Sequence, residues 1–199
     1  MRRAFSRAIP VEIDECPLPT LPGVRPRAVL AFLLYRPGLH PRVRLAGWFW
    51  PDVLDTSARA SLRSTLWSIR QAFAALDGGE YLVGDRSLVG INPALPRDVD
   101  IERFARLVAA GDVTSMEAAV DLARGPLLAD LPDEWVLDAQ DECREQLITL
   151  LERLADAAEE AGDRRRAVKW TREALEHDRL REGTYRLLMR RLAAMGEPA

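Results

Sequence analysis

A mainly α fold with a small β component, arranged as two domains, is what this 199-residue sequence predicts. Three observations predict it. The hydrophobic period is helical over most of the chain, two short β-rich runs flank a Gly-Asp-Arg turn, and the Pro-rich break Pro93–Pro96 separates a front half of mixed elements from a back half of helical period alone. The expected domains are residues 1–96, three helices closed by a hairpin, and residues 97–199, an all-α helical repeat.

The front half opens on Ile9–Asp14, whose alternation of apolar and polar residues predicts a short half-buried strand, followed by the Pro/Gly-rich stretch Pro17–Pro26. Ala28–Arg36 is apolar almost all round and stops at Pro37-Gly38, which predicts a short buried helix with a breaker after it. Arg42–Phe49 fits a second helix, ended by Trp50-Pro51. In the third, Asp55 or Thr56 serves as cap, and Ala58, Leu62, Leu66, Ile69, Phe73 and Leu76 form one apolar stripe up to Asp77-Gly78-Gly79. Glu80–Val83 and Ser87–Ile91, joined by Gly84-Asp85-Arg86, predict a hairpin.

Beyond the Pro93–Pro96 linker, Ile101, Phe104, Ala105 and Val108 make one helical stripe and Met116, Ala119, Val120 and Ala123 the next, broken at Gly111 and at Gly125-Pro126. A long helix from about Asp133 to Ala161 is expected to bury Val136, Cys143, Leu147, Leu150, Leu154 and Ala158. Arg165–His177 turns Ala167, Val168, Thr171, Ala174 and Leu175 inward. Glu182–Met195 is expected to turn Tyr185, Leu188, Met189, Leu192 and Met195 inward, in antiparallel pairs with short turns. That orientation presents Arg186, Arg190 and Arg191 outward for a partner, or else to the acids of the long helix.

Hydrophobic residues make up 48% and charged residues 30%, ordinary for a globular chain whose halves are each long enough for a core. The longest apolar run, Ala28–Tyr35, falls well short of the ~20 residues that span a bilayer, and the polar N-terminus offers no secretory signal, so a cytosolic protein is expected. Cys16, Cys143, His40 and His177 have no disulfide-framework or metal-ligand spacing, and neither zinc nor a cofactor is expected. The net charge of -3 conceals a division. Up to residue 97 there are 13 Lys+Arg against 8 Asp+Glu, and from residue 98 onward 15 against 23. The basic half suits a polyanion and the acidic half would be repelled by one.

Three helices closed by a hairpin are the order of a winged helix-turn-helix, in which the helix after the turn enters the major groove and the hairpin lies along the backbone. The third helix supports that reading on its outer face. Opposite its apolar stripe stand Ala60, Ser64, Trp67 and Gln71, with Ser68 beside them and Arg59, Arg63 and Arg70 along one flank; no acid occurs between Asp55 and Asp77. A plain surface helix interleaves acids and bases for i,i+4 pairing. Arg63 is the candidate base contact, because a guanidinium pairs bidentately with guanine, whereas Arg59 and Arg70 are expected on phosphates. Trp67 either stacks on a sugar or thymine methyl or packs against the hairpin, the second being favoured. Arg86 at the hairpin tip and Arg42 at the start of the second helix, aided there by free N–H groups, complete the expected DNA contacts.

Three segments carry a family likeness: Arg25–Leu34; Arg42 with Leu45-Ala46 and Trp50-Pro51; and Ala58–Arg70. They resemble the DNA-binding half of the Streptomyces antibiotic regulatory protein family, an OmpR-type winged helix. Val99–Phe104 and Gly125–Val136 resemble the bacterial transcriptional activator domain that follows it there, and the pattern Ala161-Gly162-Asp163, Ala167, Ala174 and Leu180-Arg181-Glu182 is similar to its tetratricopeptide-like repeat. The resemblance covers about residues 25–196. It implies an activator that sits as a dimer on direct repeats at promoters and recruits RNA polymerase, through the polymerase itself or a sigma factor. Two features depart from the family pattern: an abbreviated N-terminal sheet with an altered turn at Pro22-Gly23, and a C-terminus at Gly196–Ala199 where relatives add another helix pair, as expected of a truncated chain, of a fragment of a larger regulator, or of an apolar face left for a partner. No Gly-x-x-x-x-Gly-Lys loop occurs.

Nothing in the sequence arranges a nucleophile with a base, a metal set or a phosphate cradle, so a non-enzymatic protein is expected. The alternative from a different class is a helical-repeat interaction module whose winged helix docks protein in place of DNA.

Overall fold

Seven consecutive residues, Ala28–Leu34, are buried in one helix, as their unbroken apolar character requires. A computed structural model describes residues 11–13, 16–17, 21–75, 79–95, 98–125 and 127–196. The chain is mainly helical with a few short strands, and it divides into two compact units. One runs up to Arg103 and takes in Leu128–Asp133; the other comprises Phe104–Leu127 and Glu134–Ala199.

In the first unit, β1 (Val11–Ile13) pairs antiparallel with β2 (Cys16–Pro17) and with β6 (Asp98–Val99). Ile9, Pro10 and Asp14 of the expected strand lie outside the described residues. The β6 strand corrects the expectation of helical period throughout the back half, since two residues are too few to show alternation. Helix α1 (Val24–Tyr35) starts four residues before Ala28, with Pro26 in its first turn. Proline is tolerated there because the first N–H groups of a helix have no intrahelical acceptor.

A second sheet has the order β3-β5-β4, all antiparallel, with β3 (His40–Pro41), β4 (Leu82–Gly84) and β5 (Leu88–Ile91). The hairpin was legible in sequence; its third strand was not. Gly84 closes the hairpin at φ +129°, and a Cβ there would stand 2.3 Å from the Leu88 carbonyl oxygen. Gly84→Ala is therefore expected to destabilise this unit by more than about 1 kcal/mol, read as a lowered urea midpoint. Unchanged unfolding would contradict the turn geometry.

Helices α2 (Arg42–Phe49) and α3 (Asp55–Ala74) complete the unit. Ala58, Leu62, Leu66, Ile69 and Phe73 are all buried along α3, as the stripe predicts; Leu76, Asp77 and Gly78 lie outside the described residues. The capping expectation is corrected. Leu54 is the N-cap and makes no side-chain cap bond, while Asp55 is already helical and places its negative charge in the first turn, where the helix dipole favours it. Phe73 stacks on the buried Tyr81 at 4.6 Å between ring centres, joining α3 to the segment before β4. Leu128–Asp133 is held to the start of α1 by Arg25–Asp133 at 2.5 Å and Arg27–Asp130 at 2.6 Å.

In the second unit α5 (Val113–Leu122), α6 (Glu134–Glu160), α7 (Arg164–His177) and α8 (Glu182–Met195) pack in sequence order, each against the next. The remaining helix, α4 (Asp100–Ala110), contains the division between the units. Asp112 caps α5 and Asp163 caps α7, each accepting from the backbone N–H three residues on. Gly162 takes φ +77° between α6 and α7, the left-handed position that ends a helix at least cost in glycine. Every residue expected to be buried on α5, α6 and α7 is buried. On α4, Phe104 is buried but Ala105 is exposed. Burial pushes the Cys143 thiol up to about 11, which leaves it protonated and unreactive at neutral pH.

Helix α8 departs most from its expected orientation. Tyr185 and Met189 are 42% and 54% exposed, whereas Arg191 is 4% exposed and Thr184 is buried. The helix is rotated so that Arg191 bonds Asp156 and Glu159 of α6 and Thr171 of α7, while Thr184 donates to Glu152 at 2.6 Å. Arg191 thus takes the long helix's acids, and Arg186 pairs along its own helix with Glu182. Those bonds satisfy the guanidinium that this orientation buries, whereas the exposed Met189 leaves no polar group unpaired.

Among the described residues no group of His, Cys, Asp or Glu is placed to hold a metal ion, and no helix is long and apolar enough to cross a membrane.

Candidate functional site

Because its apolar stripe is sealed in the core, the rest of α3 has only one direction to face. Arg59, Ala60, Arg63, Ser64, Trp67, Arg70 and Gln71 are exposed and Ser68 is half-buried, its hydroxyl donating to the Ser64 carbonyl oxygen at 3.2 Å. Arg59 has a long ion pair with Asp55, 3.8 Å with both groups exposed, which contributes little. Arg63, Arg70 and Arg86 make no ion pair among the described residues.

All five arginines expected from the sequence to contact DNA line one open cleft of about 660 Å³: Arg42 from the start of α2, Arg59, Arg63 and Arg70 from α3, and Arg86 from the hairpin turn. What brings Arg42 there is the two-residue strand β3. Pairing of His40 with Val89 and Pro41 with Leu88 puts the start of α2 beside the hairpin turn. The Arg42 N–H donates to the Ser87 carbonyl at 2.8 Å and its Nε to the Leu88 carbonyl at 3.2 Å. The expected free N–H at this position is therefore corrected: proline precedes it and the hairpin occupies it. Partial burial lowers the Arg42 pKa, the positive charge of Arg70 lowers it further, and Asp85 opposes both. Arg42 and Arg70 repel each other across the cleft. Arginine remains protonated regardless.

Among the described residues Asp85 is the one acid lining the cleft, and its role there was not anticipated. Its carboxylate accepts from the Ser87 hydroxyl at 2.7 Å, the Ser87 N–H at 2.6 Å and the Leu88 N–H at 2.9 Å, which together hold its pKa below the usual carboxylate range. It is thus spent on the turn that presents Arg86. An Asp at the first position of a tight turn is a sequence signal for this arrangement. Val43, 57% exposed, also lines the cleft and was not singled out.

Trp67 corrects the favoured alternative. At 61% exposure its ring is not packed under the hairpin; with the stripe from Ala58 to Phe73 filling the core side, position 67 points away from it.

Five guanidinium groups against one committed carboxylate form a surface for an extended anion with several regularly placed charges. The short side chains of Ala60 and Ser64 beside them leave room for close approach to the α3 backbone. None of these residues lies in the part of the chain for which a family is found. Residues 99–199 match the family model described as the bacterial transcriptional activator domain. No curated protein matches the chain.

Proposed function

We propose, from the premise that the chain belongs to the bacterial transcriptional activator domain family, that its first unit is a winged helix which binds duplex DNA sequence-specifically. In this reading α3 lies in the major groove, the β4–β5 hairpin is the wing, and the helical unit, tetratricopeptide-like in its stacked helix pairs, engages RNA polymerase or a sigma factor at a promoter. The protein works by binding, in the cytoplasm, with no catalytic step of its own. The single observation that carries the reading is the convergence of Arg42, Arg59, Arg63, Arg70 and Arg86 on one cleft. Three separate elements deliver those side chains, and five like charges gathered against the single lining carboxylate of Asp85 cost energy unless a polyanion offsets them.

Within the cleft the roles divide. Arg59, Arg70 and Arg86, at its margins on α3 and the wing, suit phosphates, and Arg42 adds a fourth such contact braced by the wing backbone. Arg63 at the middle of α3 suits base edges, as do Ser64, Ser68 and Gln71, which stand on the outer face of the same helix and do not line the cleft. Selection of binding sites from a random duplex pool by the purified chain tests the function and returns the spacing of any repeated half-sites, hence whether two copies bind. On the selected duplex, Arg63→Ala is expected to cost about 1–3 kcal/mol and relax choice at one base pair, while Arg59→Ala weakens all sequences alike. Equal affinity of both variants and the parent would overturn the placement of α3. Failure to enrich any sequence, with weak and flat binding to all DNA, would favour a protein-docking role for this unit.

A further inference from the structure

We infer that Trp67 is a specificity-determining residue that reads the C5-methyl group of thymine in the major groove. The inference rests on the DNA-binding reading above and adds what the centre of α3 selects.

Trp67 is the largest side chain on the outer face of α3, it is 61% exposed, and among the described residues its ring has no aromatic or cationic partner. Its neighbours one helical turn away are Arg63 and Ser64 before it, and Arg70 and Gln71 after it. Ala60, Ser64 and Ser68 are short, so the indole stands above them, within reach of whatever α3 approaches and beside the longer arginine side chains. The flanking arginines decide what that is. A protein surface that buried this indole would have to bring acids to Arg63 and Arg70 in the same step, whereas a DNA groove supplies phosphates on both sides.

On the floor of the major groove, base edges offer hydrogen-bond donors and acceptors with one apolar exception, the thymine methyl. Arg63 and Gln71 match the donors and acceptors. The indole rings have the methyl as their natural counterpart, since covering any other base edge with an aromatic ring would strip a polar group of water without replacing its hydrogen bond. The competing arrangement, in which the indole N–H donates to a phosphate, would carry no sequence information.

The test uses the full chain and the tightest duplex recovered from the random pool. Each thymine is replaced in turn by deoxyuridine, which removes the methyl alone, and affinities are measured for the parent, Trp67→Phe and Trp67→Ala. One deoxyuridine position is expected to weaken the parent about 3- to 5-fold, the value of one buried methyl. Trp67→Phe should keep that sensitivity and Trp67→Ala should abolish it at that position only. Indifference of the parent to every deoxyuridine, or a uniform loss on Trp67→Phe across all sequences, overturns the inference while leaving DNA binding intact. Recovery of no duplex at all overturns the DNA-binding reading, and this one with it. Because Trp67 is exposed, unfolding midpoints of both variants should match the parent, separating a lost contact from a lost fold.

Discussion

Replacing Arg59, Arg70 and Arg86 together by alanine is expected to flatten the salt dependence of DNA binding to about a quarter of its parent slope. Each phosphate neutralised contributes about -0.9 to the slope of log affinity against log salt. With Arg42, Arg59, Arg70 and Arg86 on phosphates the parent slope is about -3.6, so affinity falls about 150-fold between 50 and 200 mM salt. The triple variant retains Arg42 alone, with a slope of about -0.9 and a fall of about 3- to 4-fold over the same range. Arg42 is left in place deliberately. Its Nε and N–H hold the Leu88 and Ser87 carbonyls, so its replacement would disturb the β4–β5 hairpin and confuse a lost contact with a lost turn. Fluorescence anisotropy at several salt concentrations measures both slopes, and equal slopes would mean that these three side chains do not reach phosphates.

The second large effect concerns stability. Arg191→Ala is expected to destabilise the helical unit by about 2–4 kcal/mol, whereas Arg190→Ala, one residue earlier and exposed, should change it by less than about 0.5 kcal/mol. The Arg191 guanidinium is buried between α6, α7 and α8 and bonds Asp156, Glu159 and the buried Thr171 hydroxyl. Truncation removes three charge-assisted bonds and leaves a void where the side chain packed. The cost stays below that of breaking a fully buried pair, because Asp156 and Glu159 are more than half exposed and recover water. Urea unfolding followed by far-ultraviolet circular dichroism, with hydrogen exchange on α7 and α8 to identify the unit that opens, distinguishes the two variants. Similar midpoints for both would place Arg191 on the surface.

Those two arginines show what periodicity reads and what it misses. A period of 3.6 places an apolar stripe correctly when one face alone is buried, as on α3, α5, α6 and α7. On α8 two faces compete. The apolar residues Tyr185 and Met189 point one way and Thr184 with Arg191 another, and periodicity weighs only the first; the acids that settle the choice, Asp156 and Glu159, lie more than thirty residues away. The same holds at the candidate site. The acid-free outer face of α3 and the hairpin with Arg86 at its tip were legible because each depends on local spacing. That Arg42 shares their cleft depends on β3, a two-residue strand whose only signature is its partner, and that Trp67 stands free of the hairpin depends on where that hairpin packs.

By itself the amino-acid order determined the helical segments, the hairpin, the division of charge between basic front and acidic back, and the face of α3 that remains outside the core. Each follows from side-chain direction along a regular backbone, a property of neighbours within a few residues. Only the tertiary structure decided that five arginines from three elements meet, that Leu128–Asp133 joins the first unit through Arg25 and Arg27, and that α8 turns a guanidinium inward. Those outcomes are set by ion pairs and strand pairing between residues far apart in the chain, whose strength depends on distance and burial that no local period encodes.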